Sequence, residues 1–407
     1  MIVKKKESFL PYGRQHINDD DIAAVSEVLR SDWLTCGPAG PAFEGSLCQT
    51  VESDNAIACS SGTAALHLAM LALGIGPGDV VITSPISFLA SANCARYVGA
   101  EVWFADIDPE TGLISVESLA KLLGRDSHSR VKAVIPVHLA GQPADMQAIY
   151  KLAENHGIKI VEDACHALGG SYSADGKTVP VGSCEHSDLT VFSFHPVKHV
   201  AMGEGGAVTT NDSDVADRLR RFRNHGIERE RFVDSDLAYN STGKPNPWYY
   251  EMSDLGYNYR LSDIQSTLGQ SQLHRLKQSV TRRREIAGLY TELISEQFNQ
   301  SNLRPLLTRE YNNNAYHLYI TLIDFEFYGK SRYEVMTELK KHGVGTQVHY
   351  IPIFLQPYYR DQSLEALTDC PYSLKYYESA LSLPMYPELT DDDCKRVIGR
   401  LSQVLDR

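Results

Sequence analysis

Short apolar runs alternate with longer amphipathic stretches along the first part of the chain. The apolar runs predict strands at 56–59, 79–83, 101–105, 131–137 and 158–161. The stretches between them predict helices at 64–73, 88–97, 116–123 and 144–156. This βαβ alternation predicts an α/β fold with a mostly parallel sheet covered by helices on both faces. Ligands of such sheets bind beyond the carboxyl ends of the strands.

The rest of the chain has a different pattern. A polar stretch at 228–256 contains Trp248, Tyr249 and Tyr250 and predicts an irregular excursion. A long helix follows, and its basic triplet at 282–284 is interpreted as a solvated face. The remaining strands and helices predict a smaller α+β domain. We therefore expect a large domain at 1–278 and a small C-terminal domain at 279–407.

Composition narrows the classes of function. The formal net charge is -12, which argues against a general nucleic-acid-binding protein because such proteins present a basic face. No apolar run is long enough for a membrane span, and the charged N-terminus is not followed by an apolar leader segment. The eight cysteines are widely spaced and form no C-x-x-C pair. We expect a cytoplasmic protein with reduced thiols and no metal site.

One stretch combines several unusual features. An apolar run through Phe192 and Phe194 ends at Pro196, Lys198 follows, and three glycines stand at 203, 205 and 206. This pattern predicts a buried strand that ends in a tight loop. A lysine in such a loop can be an ordinary surface charge. It can also be a partly desolvated amine that forms a Schiff base.

Two further segments follow predicted strands. Ser60-Ser61-Gly62-Thr63 precedes the helix at 64–73, where free N–H groups and the helix dipole make an anion site. The same residues can be a plain helix cap. Asp163 and His166 follow the strand at 158–161, and they can equally be a cap and a loop histidine.

These residue types match the requirements of one cofactor. Pyridoxal 5'-phosphate needs a lysine, an acid beside its ring nitrogen, an anion cradle for its phosphate and a flat partner for its ring. The chain offers Lys198, Asp163, the Gly62-Thr63 helix start and Phe88. Each of these residues alone is unspecific. Their order along an α/β chain favours a site for pyridoxal phosphate.

With these residues, the chain resembles the DegT/DnrJ/EryC1/StrS family of sugar aminotransferases, which have the type I fold of pyridoxal phosphate enzymes. The resemblance covers nearly the whole chain, and its motifs are Ser60–His67, Glu162–Ala167, Ser193–Gly206 and Tyr257–Gln265. The stretches 11–15, 248–251, 347–352 and 355–360 resemble transaminases of pseudaminic acid biosynthesis. In the family motifs alanine is more usual at the positions of Gly62 and Gly203.

The resemblance implies a role for each matching residue. Lys198 would be the catalytic residue and would hold the cofactor as a Schiff base, and Asp163 would pair with its ring nitrogen. Phe88 would stack on the ring, His166 would lie near its phenolic oxygen, and the phosphate would bind Gly62, Thr63 and Ser193. Asn258 would reach the cofactor of a neighbouring subunit. Sugar contacts would come from Tyr12, Trp33, Leu34, Thr35, Tyr259, His317, Tyr319, His349 and Tyr350.

The implied activity is transfer of an amino group from L-glutamate to C4 of a UDP-linked 4-keto-6-deoxy-N-acetylhexosamine, in a homodimer with shared active sites. Related enzymes that dehydrate carry histidine at the position of Lys198, so this chain favours transamination. Transamination of another nucleotide sugar and a non-catalytic role as a cofactor-binding regulator stay open. An NAD-dependent sugar enzyme is disfavoured because no G-x-G-x-x-G follows the first strand.

Overall fold

The computed structural model describes residues 8–360 and 369–406. Within them the helices are α1 (Asp19–Arg30), α2 (Ala39–Val51), α3 (Gly62–Leu73), α4 (Ala90–Tyr97), α5 (Val116–Leu123), α6 (Met146–His156), α7 (Ser213–Arg223), α8 (Ser235–Ala238), α9 (Asp263–His274), α10 (Leu276–Gln297), α11 (Arg332–Lys341), α12 (Pro357–Arg360), α13 (Pro371–Ser379) and α14 (Asp391–Leu405).

The strands of the same residues are β1 (Asn55–Cys59), β2 (Val80–Thr83), β3 (Glu101–Phe104), β4 (Val131–Ile135), β5 (Lys159–Asp163), β6 (Ser171–Ala174), β7 (Lys177–Pro180), β8 (Leu189–Ser193), β9 (Gly206–Thr210), β10 (Ile227–Glu228), β11 (Glu251–Met252), β12 (Leu303–Pro305), β13 (Asn312–Asn313), β14 (Tyr319–Ile323) and β15 (Ala380–Leu383). Within the polar excursion at 228–256, α8 and the β10–β11 pair supply the regular structure.

A seven-stranded sheet forms the centre of the fold, in the order β1-β9-β8-β5-β4-β2-β3. Only β9 runs against its neighbours, β1 and β8, and the other adjacent strands pair in parallel. Its strands are almost continuously buried, as expected for a sheet covered on both faces. The predicted mostly parallel α/β architecture is confirmed.

The strand directions decide where the loops gather. Strands β1, β2, β5 and β8 all run the same way, so the segments that follow them emerge at one edge of the sheet. These segments carry Ser61, Ser87, Cys165 and Lys198. Three of the four sequence motifs, together with the connection that carries Phe88, are thereby brought together from distant parts of the chain.

Local sequence signals fix the helix that leaves β1. The N-cap residue of α3 is Ser61, whose Oγ accepts a hydrogen bond from the N–H of Ala64. The helix ends at Gly74, which adopts the left-handed conformation that glycine favours. Nearly all of α3 is buried, because it packs under the central sheet beside α4 and α7.

A smaller antiparallel sheet, β12-β14-β15, lies in the C-terminal part of the chain. It packs with α10, α11 and α14 around an apolar cluster that includes Tyr290, Leu303 and Leu401. The expected domain boundary at residue 278 falls inside α10, and this division stays a prediction.

The interpretation of the arginine triplet as a solvated face is wrong for its middle member. Arg283 is only 1% exposed, and its Nη1 donates to the carbonyl oxygens of Tyr316, His317 and Met385. The reason is that α10 is covered on this side by the 314–318 segment and by the end of β15. Arg282 does face outward and forms ion pairs with Glu285 and Asp391.

In the described part of the chain, no helix combines the length and the apolar character that a membrane crossing requires. All eight cysteines are free thiols, and no cluster of metal-binding side chains occurs among the residues described.

Candidate active site

A cavity of about 410 Å³ opens at the edge of the sheet where the four segments emerge. Most of the side chains predicted from the sequence line it together. They are Tyr12, Gly62, Thr63, Phe88, Asp163, His166, Ser193, Lys198, His317, His349 and Tyr350.

Lys198 lies in the loop after β8. The loop is closed by backbone hydrogen bonds from Phe194 N to Gly205 O and from Met202 N to Phe194 O, at 2.8 and 2.9 Å. Burial lowers the pKa of the Lys198 amine, while Cys165 and Asp163 partly oppose this shift. A larger neutral fraction makes the amine a better nucleophile, so the ordinary surface-charge alternative is not what the structure shows.

Asp163 ends β5 and is 5% exposed. Its Oδ2 accepts a hydrogen bond from Ser91 Oγ at 2.5 Å, and its Oδ1 accepts one from Cys165 N at 3.2 Å. A buried carboxylate at a cavity wall is suited to pair with a protonated ring nitrogen. Ser91, which the sequence analysis did not single out, is the closest hydroxyl partner of this acid.

Three histidines and one tyrosine form an uncharged part of the cavity wall. The rings of His166 and His317 are 4.4 Å apart, and Tyr350 OH lies 3.1 Å from His166 Nε2. Burial lowers the pKa of His166 and of His317 well below the usual value, and nearby Lys198 adds to both shifts. His349 has its pKa lowered to about 3, also by burial. These imidazoles are therefore neutral at ordinary pH.

The N-terminus of α3 forms the anion cradle. The first N–H groups of a helix have no partner within the helix and point at whatever lies beyond it. Gly62 and Thr63 supply two of these groups, and the Ser193 side chain stands opposite. A Cβ added at Gly62 would lie 2.9 Å from Ser193 Cβ and 3.3 Å from Cys165 Sγ. Glycine at this position therefore keeps the cradle open.

A buried network under the site was not predicted. Glu162 is 2% exposed and accepts hydrogen bonds from Ser187 Oγ and Thr190 Oγ1. His138 Nδ1 accepts the N–H of Ala144, so its proton is on Nε2, which lies 2.7 Å from Glu162 Oε2. Burial acts to raise the pKa of Glu162, but these bonds lower it overall. The network fixes the end of β5, where Asp163 stands.

The cavity fits pyridoxal phosphate on three independent counts. A desolvated lysine, a buried carboxylate and an open helix N-terminus all face the same space. In addition, Nδ1 of His166 and Nδ1 of His317 are buried without a hydrogen-bond partner among the described residues. Unpaired buried nitrogens at a cavity wall are the kind of group that a polar ligand satisfies.

Some residues predicted for the site do not line this cavity. Tyr319 is 3% exposed, and its hydroxyl is paired with Thr291 in the small sheet's core, away from the cavity. Tyr259 is held by its hydroxyl against His67 Nδ1 at 3.2 Å. The remaining four, Trp33, Leu34, Thr35 and Asn258, are exposed on the outer surface of the chain.

Comparisons with known proteins agree with this geometry. Residues 15–402 match the DegT/DnrJ/EryC1/StrS aminotransferase family. The spore coat polysaccharide biosynthesis protein SpsC of Bacillus subtilis is 39% identical over 405 residues, which cover 99% of each chain. PseC of Helicobacter pylori, an aminotransferase involved in pseudaminic acid biosynthesis, superposes with a TM-score of 0.85 at 29% identity, over 98% of this chain and 99% of that one.

A second similar structure bears on the cofactor. Spr1654 of Streptococcus pneumoniae, in its pyridoxal phosphate form, superposes with a TM-score of 0.85 at 27% identity, over 98% of each chain. The same protein has also been solved in its pyridoxamine phosphate form. The chain described here therefore belongs to the DegT/DnrJ/EryC1/StrS family of pyridoxal phosphate-dependent sugar aminotransferases, with the type I fold.

Proposed function

We propose that this enzyme transfers the amino group of L-glutamate to C4 of a UDP-linked 4-keto-6-deoxy-N-acetylhexosamine, UDP-2-acetamido-2,6-dideoxy-β-L-arabino-hexos-4-ulose, as in pseudaminic acid biosynthesis. The observation that carries the reaction type is that Lys198 and Asp163 face one cavity with the N-terminus of α3. The similarity to PseC and the stretches 11–15, 248–251 and 347–352 support the choice of sugar.

Pyridoxal phosphate, when bound, supplies an electron-accepting ring that carries the amino group between donor and acceptor. Lys198 binds the cofactor through Nζ, and the freed amine then removes the proton from Cα of glutamate. In the second half of the reaction, Lys198 Nζ delivers a proton to C4 of the sugar. Asp163, as a carboxylate, keeps the ring nitrogen protonated. The neutral imidazole of His166 lines the same cavity as Lys198 and Asp163.

Four residues predicted for the site, Trp33, Leu34, Thr35 and Asn258, are exposed on the surface of the chain. In this proposal they face a second subunit. Trp33 is 53% exposed, Leu34 49% and Trp248 74%, so these apolar side chains are left uncovered in the single chain. Asn258 is also exposed, and its backbone forms an isolated bridge with Asn224. A homodimer would cover these groups and place Asn258 near the partner's phosphate cradle. Neither nucleic acid nor a membrane is part of the proposal, and we assign the reaction to the cytoplasm.

The substrate assignment is tested by following amino transfer to purified keto sugars. The enzyme, pyridoxal phosphate and L-glutamate are incubated with the L-arabino 4-keto sugar or with its D-xylo isomer, each linked to UDP. Mass spectrometry detects the amino sugar, and NMR defines the configuration at C4. We expect turnover of the L-arabino compound. Turnover of the D-xylo isomer alone would show a different 4-aminotransferase.

A second candidate is transamination of another nucleotide sugar. The observation that favours it is the 39% identity to SpsC, a protein of spore coat polysaccharide biosynthesis, against 29% to PseC. A thymidine diphosphate-linked 4-keto-6-deoxyhexose in the same assay distinguishes the two candidates. Absence of turnover with every keto sugar, despite bound cofactor, would favour the non-catalytic regulator.

A further inference from the structure

A chain of buried hydroxyl groups ends on the acid of the site. Ser87 Oγ lies 2.6 Å from Ser91 Oγ, and Ser91 Oγ lies 2.5 Å from Asp163 Oδ2. Ser91 is 0% exposed, and Ser87 and Asp163 are 4% and 5% exposed. Ser87 comes from the connection between β2 and α4, which also carries Phe88, and Ser91 stands in the first turn of α4, so the start of this helix is tied to the end of β5.

The direction of these bonds follows from counting protons. An ionised carboxylate only accepts, so the Ser91 hydroxyl donates to Asp163. Ser91 has a single hydroxyl proton, and the alternative acceptor, the carbonyl oxygen of Phe88, is farther away at 3.3 Å. The Ser91 oxygen is then free to accept the proton of Ser87. The chain therefore runs from Ser87 through Ser91 to the carboxylate.

Several groups of the protein stabilise the negative charge of Asp163. Oδ2 receives the Ser91 hydroxyl, and Oδ1 receives the backbone N–H of Cys165. Ser91 also stands in the first turn of α4, where the helix dipole favours a nearby anion. A bond to an ionised acceptor in a buried site is stronger than one between neutral groups, and a second hydroxyl behind it adds to its polarisation.

We propose that Ser91, supported by Ser87, is a positioning residue that controls how the site protonates the cofactor's ring nitrogen. This rests on the proposed function, in which Asp163 faces that nitrogen. With the Ser91 bond in place, Asp163 keeps its charge and a fixed orientation. The proton between Asp163 and the cofactor ring then stays on the ring nitrogen. Without the bond, the carboxylate is less stabilised, and the proton shifts from the nitrogen toward Asp163.

The consequence for the reaction is specific to the proton-transfer steps. A protonated ring accepts electrons from the donor's Cα more readily than a neutral ring does. Loss of the Ser91 hydroxyl should therefore slow the reaction with glutamate without weakening glutamate binding. The loss of one charge-assisted bond predicts a roughly 10- to 100-fold lower rate constant, with KM for glutamate little changed.

The chain itself supplies a matched control. Ser373 Oγ donates to Asp106 Oδ1 at 2.5 Å, both residues are buried, and neither lines the cavity. Ser373→Ala therefore removes a serine–aspartate bond of the same length and similar burial outside the cavity. Ser91→Thr retains the hydroxyl and serves as the conservative variant, and Ser87→Ala removes only the supporting donor.

The experiment loads each variant with pyridoxal phosphate labelled with ¹⁵N in the ring and records the nitrogen chemical shift, which differs between protonated and neutral pyridine. We expect a protonated value in the wild type, Ser91→Thr and Ser373→Ala, a shift toward the neutral value in Ser91→Ala, and a smaller shift in Ser87→Ala. Thermal unfolding should show a similar loss for Ser91→Ala and Ser373→Ala, which separates stability from protonation.

Two outcomes would overturn the proposal. The first would also overturn the proposed function, and the second would not. A wild-type protein that holds no labelled cofactor would overturn both the proposed function and the role of Ser91. A protonated wild-type signal that is unchanged in Ser91→Ala, with glutamate kinetics equal to those of Ser373→Ala, would overturn the role of Ser91 alone and leave the transaminase assignment standing.

Discussion

The hydroxyl of Tyr350 lies 3.1 Å from Nε2 of His166, and the two rings are nearly parallel, at an interplanar angle of 20°. Burial raises the pKa of Tyr350 well above its usual value and lowers that of His166 well below its own. The pair is therefore a neutral phenol and a neutral imidazole. It joins the 347–353 segment of the C-terminal part to the end of β5.

Tyr350→Phe should weaken the reaction without unfolding the protein, because only the hydroxyl is removed and the ring still fills its space. Loss of the bond leaves Nε2 of His166 unpaired in a buried place, so we expect a roughly 3- to 10-fold lower rate for the glutamate half-reaction. Stopped-flow absorbance of the bound cofactor measures this rate. Tyr358→Phe, at a tyrosine that is 54% exposed, is the control, and an equal effect in both variants would contradict the prediction.

Arg283 should be one of the most sensitive positions for stability. Arg283→Met removes the donor of three backbone carbonyl oxygens in a buried place, so we expect the free energy of unfolding to fall by about 3 kcal/mol. Arg282→Met breaks partly exposed ion pairs on the same helix and should cost about 1 kcal/mol. Urea unfolding of both variants tests the contrast, and comparable losses would argue against it.

The buried histidines predict that stability falls in mild acid. The pKa values of His199 and His349 are lowered from 6.5 to about 3, chiefly by burial. The unfolded chain therefore binds more protons than the folded chain between these pH values, so the free energy of unfolding decreases as the pH drops from 6.5 toward 3. At pH 5 each such histidine should contribute a loss of about 2 kcal/mol.

Urea unfolding of the cofactor-free protein at pH 7 and pH 5 checks this dependence. His199→Gln should reduce the difference between the two pH values, while substitution of the exposed His156 by glutamine should leave it unchanged. A His199→Gln protein with the full wild-type dependence would contradict the assignment of this effect to His199.

Gly62→Ala should narrow the phosphate cradle. The added Cβ would approach Ser193 Cβ to 2.9 Å, so Ser193 must move from its place opposite the α3 N-terminus. We expect roughly tenfold weaker binding of pyridoxal phosphate, measured by fluorescence titration of the cofactor-free protein. Gly288→Ala, on α10 with nothing within 4 Å of the added Cβ, is the matched control and should bind the cofactor normally. Unchanged affinity in Gly62→Ala would show that the cradle has spare room.

The parts of the fold that follow from local patterns were predictable. Apolar runs gave the parallel strands, and the parallel arrangement placed Lys198 and Asp163 at one edge. The strand β9 was not predicted, because Gly206–Thr210 follows a run of glycines that reads as loop. Phe88 was expected within a helix, but α4 begins at Ala90, and Phe88 is 59% exposed in the preceding connection.

The side-chain placements that could not be predicted from the sequence depend on long-range packing. Nothing local distinguishes Arg283 from Arg282, and one of them is buried only because the 314–318 segment and the end of β15 cover it. Ser91 likewise looks like any small helix residue until β5 brings Asp163 beside it. The placement of Tyr319 in the small sheet's core has the same origin, since its neighbour Thr291 is distant in sequence.

The most direct measurement is a visible absorbance scan of the purified protein with pyridoxal phosphate, before and after L-glutamate, beside the Lys198→Ala variant. The role of Lys198 predicts a yellow band in the wild type that bleaches with glutamate as 2-oxoglutarate forms, and no such lysine-linked band in the variant. A wild-type protein that stays colourless with added cofactor, or a variant that bleaches at the same rate, would contradict the assignment of Lys198 as the catalytic residue.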